Sequence, residues 1–173
     1  MKTLPVALQL YTVRDEAGRN FAGTMQQVRA MGYEYVEPAG LYGIPAKEFR
    51  HILDENGLKA ICAHVPIMEL LDDLDGTLAD YQTIGCRYLA IPYLPEEMRP
   101  GTAAFPETLR KIEQIGRAAA ALGMPLLYHN HDFEFVTMED GSFGLDYMYR
   151  AIPADILQTE LDVCWVKVAG QDP

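Results

Sequence analysis

The sequence has few cysteines, little positive charge and a single tryptophan, and no long hydrophobic run interrupts it. The three cysteines, Cys62, Cys86 and Cys164, are odd in number and include no C-x-x-C pair, which argues against both a disulfide framework and a zinc knuckle. Each lies in an apolar run and reads as a small buried hydrophobe. Reduced thiols fit a cytoplasmic setting. Lys and Arg number 14 against 25 Asp and Glu, a formal charge of −11. Nucleic-acid binding draws on counterion release by clustered cations, so nucleic acid is not an expected partner. No run approaches the roughly 18 apolar residues of a membrane span, and Met1-Lys2-Thr3-Leu4-Pro5 begins no apolar leader segment. Phosphate cradles of the G-x-G-x-x-G or P-loop kind and the G-x-S-x-G nucleophile elbow are missing as well.

What is present is a repeat. The 173 residues, 49% hydrophobic and 23% charged, suffice for one globular domain over 1–173. Four times a helical pattern ends in glycine, at Gly32, Gly57, Gly85 and Gly123, and a short apolar run follows. Glycine just past a helix takes the left-handed conformation at little cost, so each is a stop signal. The runs are nearly all apolar, as in strands buried on both faces. Six strands are expected, beginning near Val6, Tyr35, Lys59, Tyr88, Leu126 and Ile156, the last running to Val163. Helices are expected over Phe21–Met31, Pro45–Asn56, Met68–Ile84 with a break at Gly76, Pro106–Leu122 and Leu145–Ala151. Strand–helix alternation without hairpin signals predicts a parallel sheet, and a unit of about 30 residues matches the (β/α)8 TIM barrel. Eight units need about 240 residues, so about six βα units are expected here. Asp172 and Pro173 resemble an N-cap and first helical residue, which reads as a chain cut at the opening of a helix.

In such a barrel the chemistry gathers at the C-terminal ends of the strands. His129 and His131 alternate about Asn130 and would share one face. Two imidazoles there could bind a divalent metal or a sugar hydroxyl, or serve as acid and base near neutral pH. Asp162 ends an apolar strand as a metal ligand or as a cap on the next loop, and Glu160 shares its face. Glu37 is costly at a strand end without a partner. His64 and Glu134 are candidates to contact substrate, and Trp165, Tyr93 and Phe135 offer rings on which a sugar can stack. His51, within a helix, reads as a surface residue.

Four segments carry a resemblance: Gln9-Leu10-Tyr11-Thr12-Val13-Arg14-Asp15, Gly32-Tyr33-Glu34-Tyr35-Val36-Glu37, Tyr128-His129-Asn130-His131-Asp132-Phe133-Glu134-Phe135 and Glu160-Leu161-Asp162-Val163-Cys164-Trp165. Together they resemble the sugar phosphate isomerase/epimerase group of xylose isomerase-like TIM barrels. The resemblance implies a divalent metal (manganese, cobalt or zinc) at the barrel mouth. Asp162 matches the family's sixth-strand aspartate ligand, and the fifth-strand ligand falls at or beside His129. Many ketose epimerases of this fold carry glutamate at that position, which points here toward relatives with a histidine-rich fifth strand, such as inosose dehydratase-like and keto-sugar lyase-like members. The family's seventh-strand histidine and eighth-strand glutamate would lie beyond Pro173.

The implied activity is a metal-dependent isomerisation or epimerisation of a sugar, sugar phosphate or polyol through an enediolate. Its site would comprise Asp162 and His129 for the metal, His129 or His131 for proton transfer, and Glu37, His64, Glu134 and Trp165 for the carbohydrate substrate. Homodimers are compatible with such barrels. A dehydratase or lyase using the same enolate, a non-catalytic scaffold, and a DNA-repair endonuclease on the same fold are the alternatives; the negative charge opposes the last.

Overall fold

The computed structural model describes residues 4–173; Met1 to Thr3, and with them the start of the supposed leader-free terminus, lie outside the described residues. The elements alternate in order β1 (Ala7–Gln9), α1 (Arg14–Arg19), α2 (Phe21–Ala30), β2 (Tyr35–Glu37), α3 (Ala46–Glu55), β3 (Lys59–Ala60), β4 (Cys62–His64), α4 (Ile67–Asp72), α5 (Leu74–Ile84), β5 (Tyr88–Ile91), α6 (Phe105–Ala121), β6 (Leu126–His129), α7 (Gly144–Ala151), β7 (Leu157–Glu160) and α8 (Val163–Val168). They group into two compact units, Met1–Val65 with Asp75–Leu89, and Pro66–Leu74 with Ala90–Pro173. Among the described residues, no helix is long and apolar enough to cross a membrane.

In the first unit, β1, β2 and β3 form a parallel sheet in that order, with Gln9 opposite Glu37 and Val36 opposite Ala60. The third expected strand is divided at Ile61, whose carbonyl accepts from both Arg87 N and Tyr88 N at 3.0 and 3.1 Å. The line nevertheless continues along β2, since His64 N donates to Pro38 O at 2.8 Å. α3 buries Phe49 and Leu53, four residues apart on one helical face. The Phe21 ring meets Phe49 at a centroid distance of 4.4 Å.

In the second unit β6 and β7 pair in parallel, Leu126 opposite Leu157 through His129 opposite Glu160. Burial alternates along β6: Leu126 and Tyr128 are fully buried, Leu127 and His129 half-buried. The period of two thus separates a packed face from one carrying His129, and burying Leu126 contributes roughly 1.5–3 kcal/mol. Burial on both faces is found in β5, where Leu89, Ala90 and Ile91 are all buried, but not in β1 or β6. α6 lies hard against the start of β7: a Cβ added at Gly116 would stand 2.8 Å from the Ile156 carbonyl oxygen. That is why a helix interior carries glycine there.

All four stop glycines have positive φ, from 63° at Gly57 to 98° at Gly32. Several boundaries depart from expectation. The break between α4 and α5 falls at Asp73, extended at φ −142° and ψ 85°, and Gly76 sits inside α5 at the ~1 kcal/mol cost a helix tolerates. The sixth strand closes at Glu160, and Val163 opens α8 instead of ending the strand. Pro45 is the N-cap of α3 instead of its first helical residue. α1 was not expected, because it is six residues long and buries Ala17 alone, leaving no apolar period to read. Cys62 and Cys86 are buried as expected, whereas Cys164 is exposed on α8; the apolar run around it is the outer face of a helix, with Val163 57% and Val168 60% exposed.

Candidate active site

At the strand ends of the first unit, the register brings Gln9 beside Glu37. Gln9 Nε2 donates to Glu37 Oε2 at 2.9 Å, while Gln9 Oε1 accepts from Tyr11 N at 3.0 Å. One amide thus ties the turn after β1 to the carboxylate, supplying the partner that Glu37 requires at a half-buried strand end. His64 Nε2 stands 3.8 Å from Glu37 Oε1. The same carboxylate raises the Cys86 thiol, which burial chiefly, and Glu37 secondarily, push up to about 12. Cys86 is therefore inert as a nucleophile.

At the strand ends of the second unit, His129 lies between two carboxylates. Its Nδ1 is 3.1 Å from Glu160 Oε1, and its Nε2 is 3.7 Å from Asp162 Oδ2. An ionised carboxylate only accepts, so a neutral His129 bonded to Glu160 through Nδ1 turns its Nε2 lone pair toward Asp162. A carboxylate on the far nitrogen is how ligating histidines are commonly oriented. Asp162 fills the expected role of a cap, its Oδ1 accepting from Trp165 N at 2.9 Å, while its Oδ2 faces His129.

Asn130 fixes this arrangement from behind. Only 1% exposed, its Oδ1 accepts from Asp162 N at 2.8 Å and its Nδ2 donates to Asp162 O at 3.2 Å. The side chain on the face opposite the histidines thus sets where the Asp162 carboxylate stands.

His131 lies two residues beyond the end of β6, past Asn130, yet its ring still meets that of His129 at 5.2 Å. It is enclosed by rings: Phe133 stacks on it at 5.7 Å, Trp165 lies at 4.9 Å and the edge contact with Tyr93 is 5.4 Å. Glu134 occupies a different place from the one expected. Its side chain is fully buried, Oε1 accepting from the Tyr128 hydroxyl at 2.6 Å and Oε2 from His131 N at 2.8 Å. Burial raises its pKa against those two bonds, and burial together with Glu134 raises Tyr128 well above the usual phenol range. Glu134 therefore holds the loop that carries His131 and presents no free oxygen to a substrate. His51 is exposed and pairs with Glu55 at 3.2 Å. Phe135 packs its ring against Phe143 at 5.7 Å.

An imidazole nitrogen with one carboxylate suits a divalent transition ion such as manganese, cobalt or zinc. Two atoms bonded to one ion at about 2.1 Å each stand at most about 4.2 Å apart, and the His129–Asp162 separation of 3.7 Å falls within that span. The donor set therefore fits the metal implied by the motifs.

The sequence matches no protein-family model and no curated protein; solved structures do match. A sugar phosphate isomerase/epimerase from Parabacteroides distasonis superposes with a TM-score of 0.82 at 23% identity, over 99% of this chain and 73% of that one. An AP endonuclease, family 2, from Brucella melitensis gives 0.71 at 16% identity over 93% and 69%. A xylose isomerase-like TIM barrel protein from Mycobacterium smegmatis in complex with magnesium gives 0.64 at 16% identity over 91% and 64%. The chain thus has the α/β fold of the xylose isomerase-like TIM barrels, as its motifs implied.

Proposed function

We propose that this chain carries the site of a metal-dependent isomerase or epimerase acting on a sugar, sugar phosphate or polyol. The observation that supports it most is the His129 imidazole, set by Glu160 and turned toward Asp162 at the C-terminal ends of two paired parallel strands. A sugar phosphate isomerase/epimerase among the structures of the same fold points the same way. His129 Nε2 and Asp162 Oδ2 would hold the ion, with Glu160 keeping the imidazole in the ligating tautomer. The ion, when bound, supplies a Lewis acid for a carbonyl and its neighbouring hydroxyl. With His129 so engaged, His131 is the imidazole left to take the proton from the carbon next to the carbonyl, giving an enediolate, and to deliver it to the former carbonyl carbon. Trp165, in contact with His131, offers an apolar face to the sugar. Within the first unit, Glu37, steadied by Gln9, and His64 form a polar pair of their own at the strand ends, of a kind that hydrogen-bonds sugar hydroxyls.

The neighbouring AP endonuclease shares the fold, but a charge of −11 speaks against a nucleic-acid substrate here. Incubation with manganese and a panel of ketoses and ketose phosphates in deuterium oxide tests the reading. Deuterium entering the carbon beside the carbonyl, with an epimeric or isomeric product, is expected. Release of water from the next carbon would reassign the chain to the dehydratases, and no exchange in any substrate would overturn the reading.

A further inference from the structure

The second unit also holds a cation clamped by rings instead of carboxylates. Arg99, in the loop after β5, places its guanidinium carbon 4.0 Å from the Phe133 ring centroid and 4.8 Å from that of Tyr93. Its Nε donates to Leu94 O at 3.0 Å, and Nη2 donates to the Tyr93 hydroxyl. The loop is itself tied down, since the Thr102 hydroxyl donates to Arg99 O at 2.8 Å and Met98 is buried. Two of the five guanidinium N–H groups are thus used. Arg50, Arg110, Arg117 and Arg150 each pair with a carboxylate, but among the described residues none lies within ion-pair distance of Arg99. Arg99 Nη1, which makes neither of these bonds, is not a buried atom lacking a partner, so its N–H groups reach solvent.

A planar, permanently charged fork held flat on two rings with part of its edge open is suited to an oxyanion, which it can meet with two parallel hydrogen bonds. Because the rings and Leu94 already order the side chain, little conformational entropy remains to be lost on binding. The same two rings touch His131: Phe133 stacks on it and Tyr93 meets its edge. We propose that Arg99 is the oxyanion-recognition residue of this site, so that the substrate carries a phosphate or carboxylate group. This narrows the sugar-converting reading, on which it rests for the identity of the rest of the ligand.

The test titrates the 173-residue chain with inorganic phosphate and separately with glycolate, at constant ionic strength and without added metal. The readouts are the Arg99 Nε–H resonance and the fluorescence of the single tryptophan, Trp165. A saturable shift with a dissociation constant on the order of millimolar is expected, weakened about tenfold or more in Arg99→Met. Arg99→Lys keeps the charge and stem, so an intermediate loss there identifies the fork even should the methionine variant fold poorly. Saturation by phosphate alone assigns a phosphorylated substrate, and by glycolate alone a sugar acid. No saturable shift with either anion, or binding unchanged in both variants, overturns the proposal. Since no metal takes part, failure of the metal reading would appear in Asp162 variants and leave this result untouched.

Discussion

Replacing Asn130 with alanine tests whether the site is built from behind. The wild-type amide, 1% exposed, makes two hydrogen bonds to the Asp162 main chain, at 2.8 and 3.2 Å. Each contributes about 0.5–1.5 kcal/mol net, and a main-chain group left without a partner in the interior costs about 1–3 kcal/mol. Asn130→Ala should therefore lower stability by about 2–4 kcal/mol. At about 2–4 °C per kcal/mol for a chain of this size, Tm falls by about 5–15 °C. Asn130→Asp should not rescue it, because it keeps the acceptor for Asp162 N but turns a carboxylate oxygen toward Asp162 O. Urea denaturation followed by circular dichroism measures both. A loss below about 0.5 kcal/mol, the range of an ordinary surface substitution, would refute the reasoning, since it would mean that the Asp162 main chain does not depend on Asn130.

Gly116→Ala should cost about 1–3 kcal/mol by overpacking, its Cβ falling against Ile156, while Gly18→Ala, with open space around it in α1, should be neutral or gain up to about 1 kcal/mol; equal denaturation midpoints would contradict the close approach of α6 to β7. Glu134 has a folded pKa above its unfolded one because it is buried, so its contribution is fully present below the unfolded value and lost as pH rises through the folded value. Glu134→Gln should accordingly flatten the decline in stability from the ordinary carboxylate range upward, and an unchanged pH profile would count against the burial of Glu134. One thiol, the exposed Cys164, should react quickly with an aromatic disulfide at mildly alkaline pH, with Cys62 and Cys86 reacting only on unfolding; rapid labelling of all three would contradict the core.

The repeat was legible because its punctuation is local. A glycine that must adopt positive φ and a short apolar run are visible without knowing what packs where, and Gly32, Gly57, Gly85 and Gly123 all behave accordingly. Local signals misled where two residues competed for one role: Gly76 looked like the helix breaker, but the extended backbone of Asp73 ends α4. Glu160 stood in the sequence as a residue sharing a face with Asp162, and its bond to His129 links positions 31 apart. That contact follows only from the parallel register of β6 and β7. Glu134 carried charge among aromatics and suggested a substrate contact, yet nothing local reveals that Tyr128, six residues earlier, would donate to it inside the core. Arg99 gave no sequence signal, since its ring contact with Phe133 depends on how two separate loops meet.

The most direct measurement is a calorimetric titration of the chain and of Asp162→Asn with manganese. Asparagine can still cap α8, so the variant should keep its circular dichroism and its melting behaviour while losing the carboxylate that faces His129 Nε2. The account predicts saturable binding by the wild-type chain and affinity weakened about tenfold or more in the variant, the effect expected for removing a charged ligand. Equal affinity in the two proteins, with the fold intact, would contradict the assignment of the His129–Asp162 pair as the metal site.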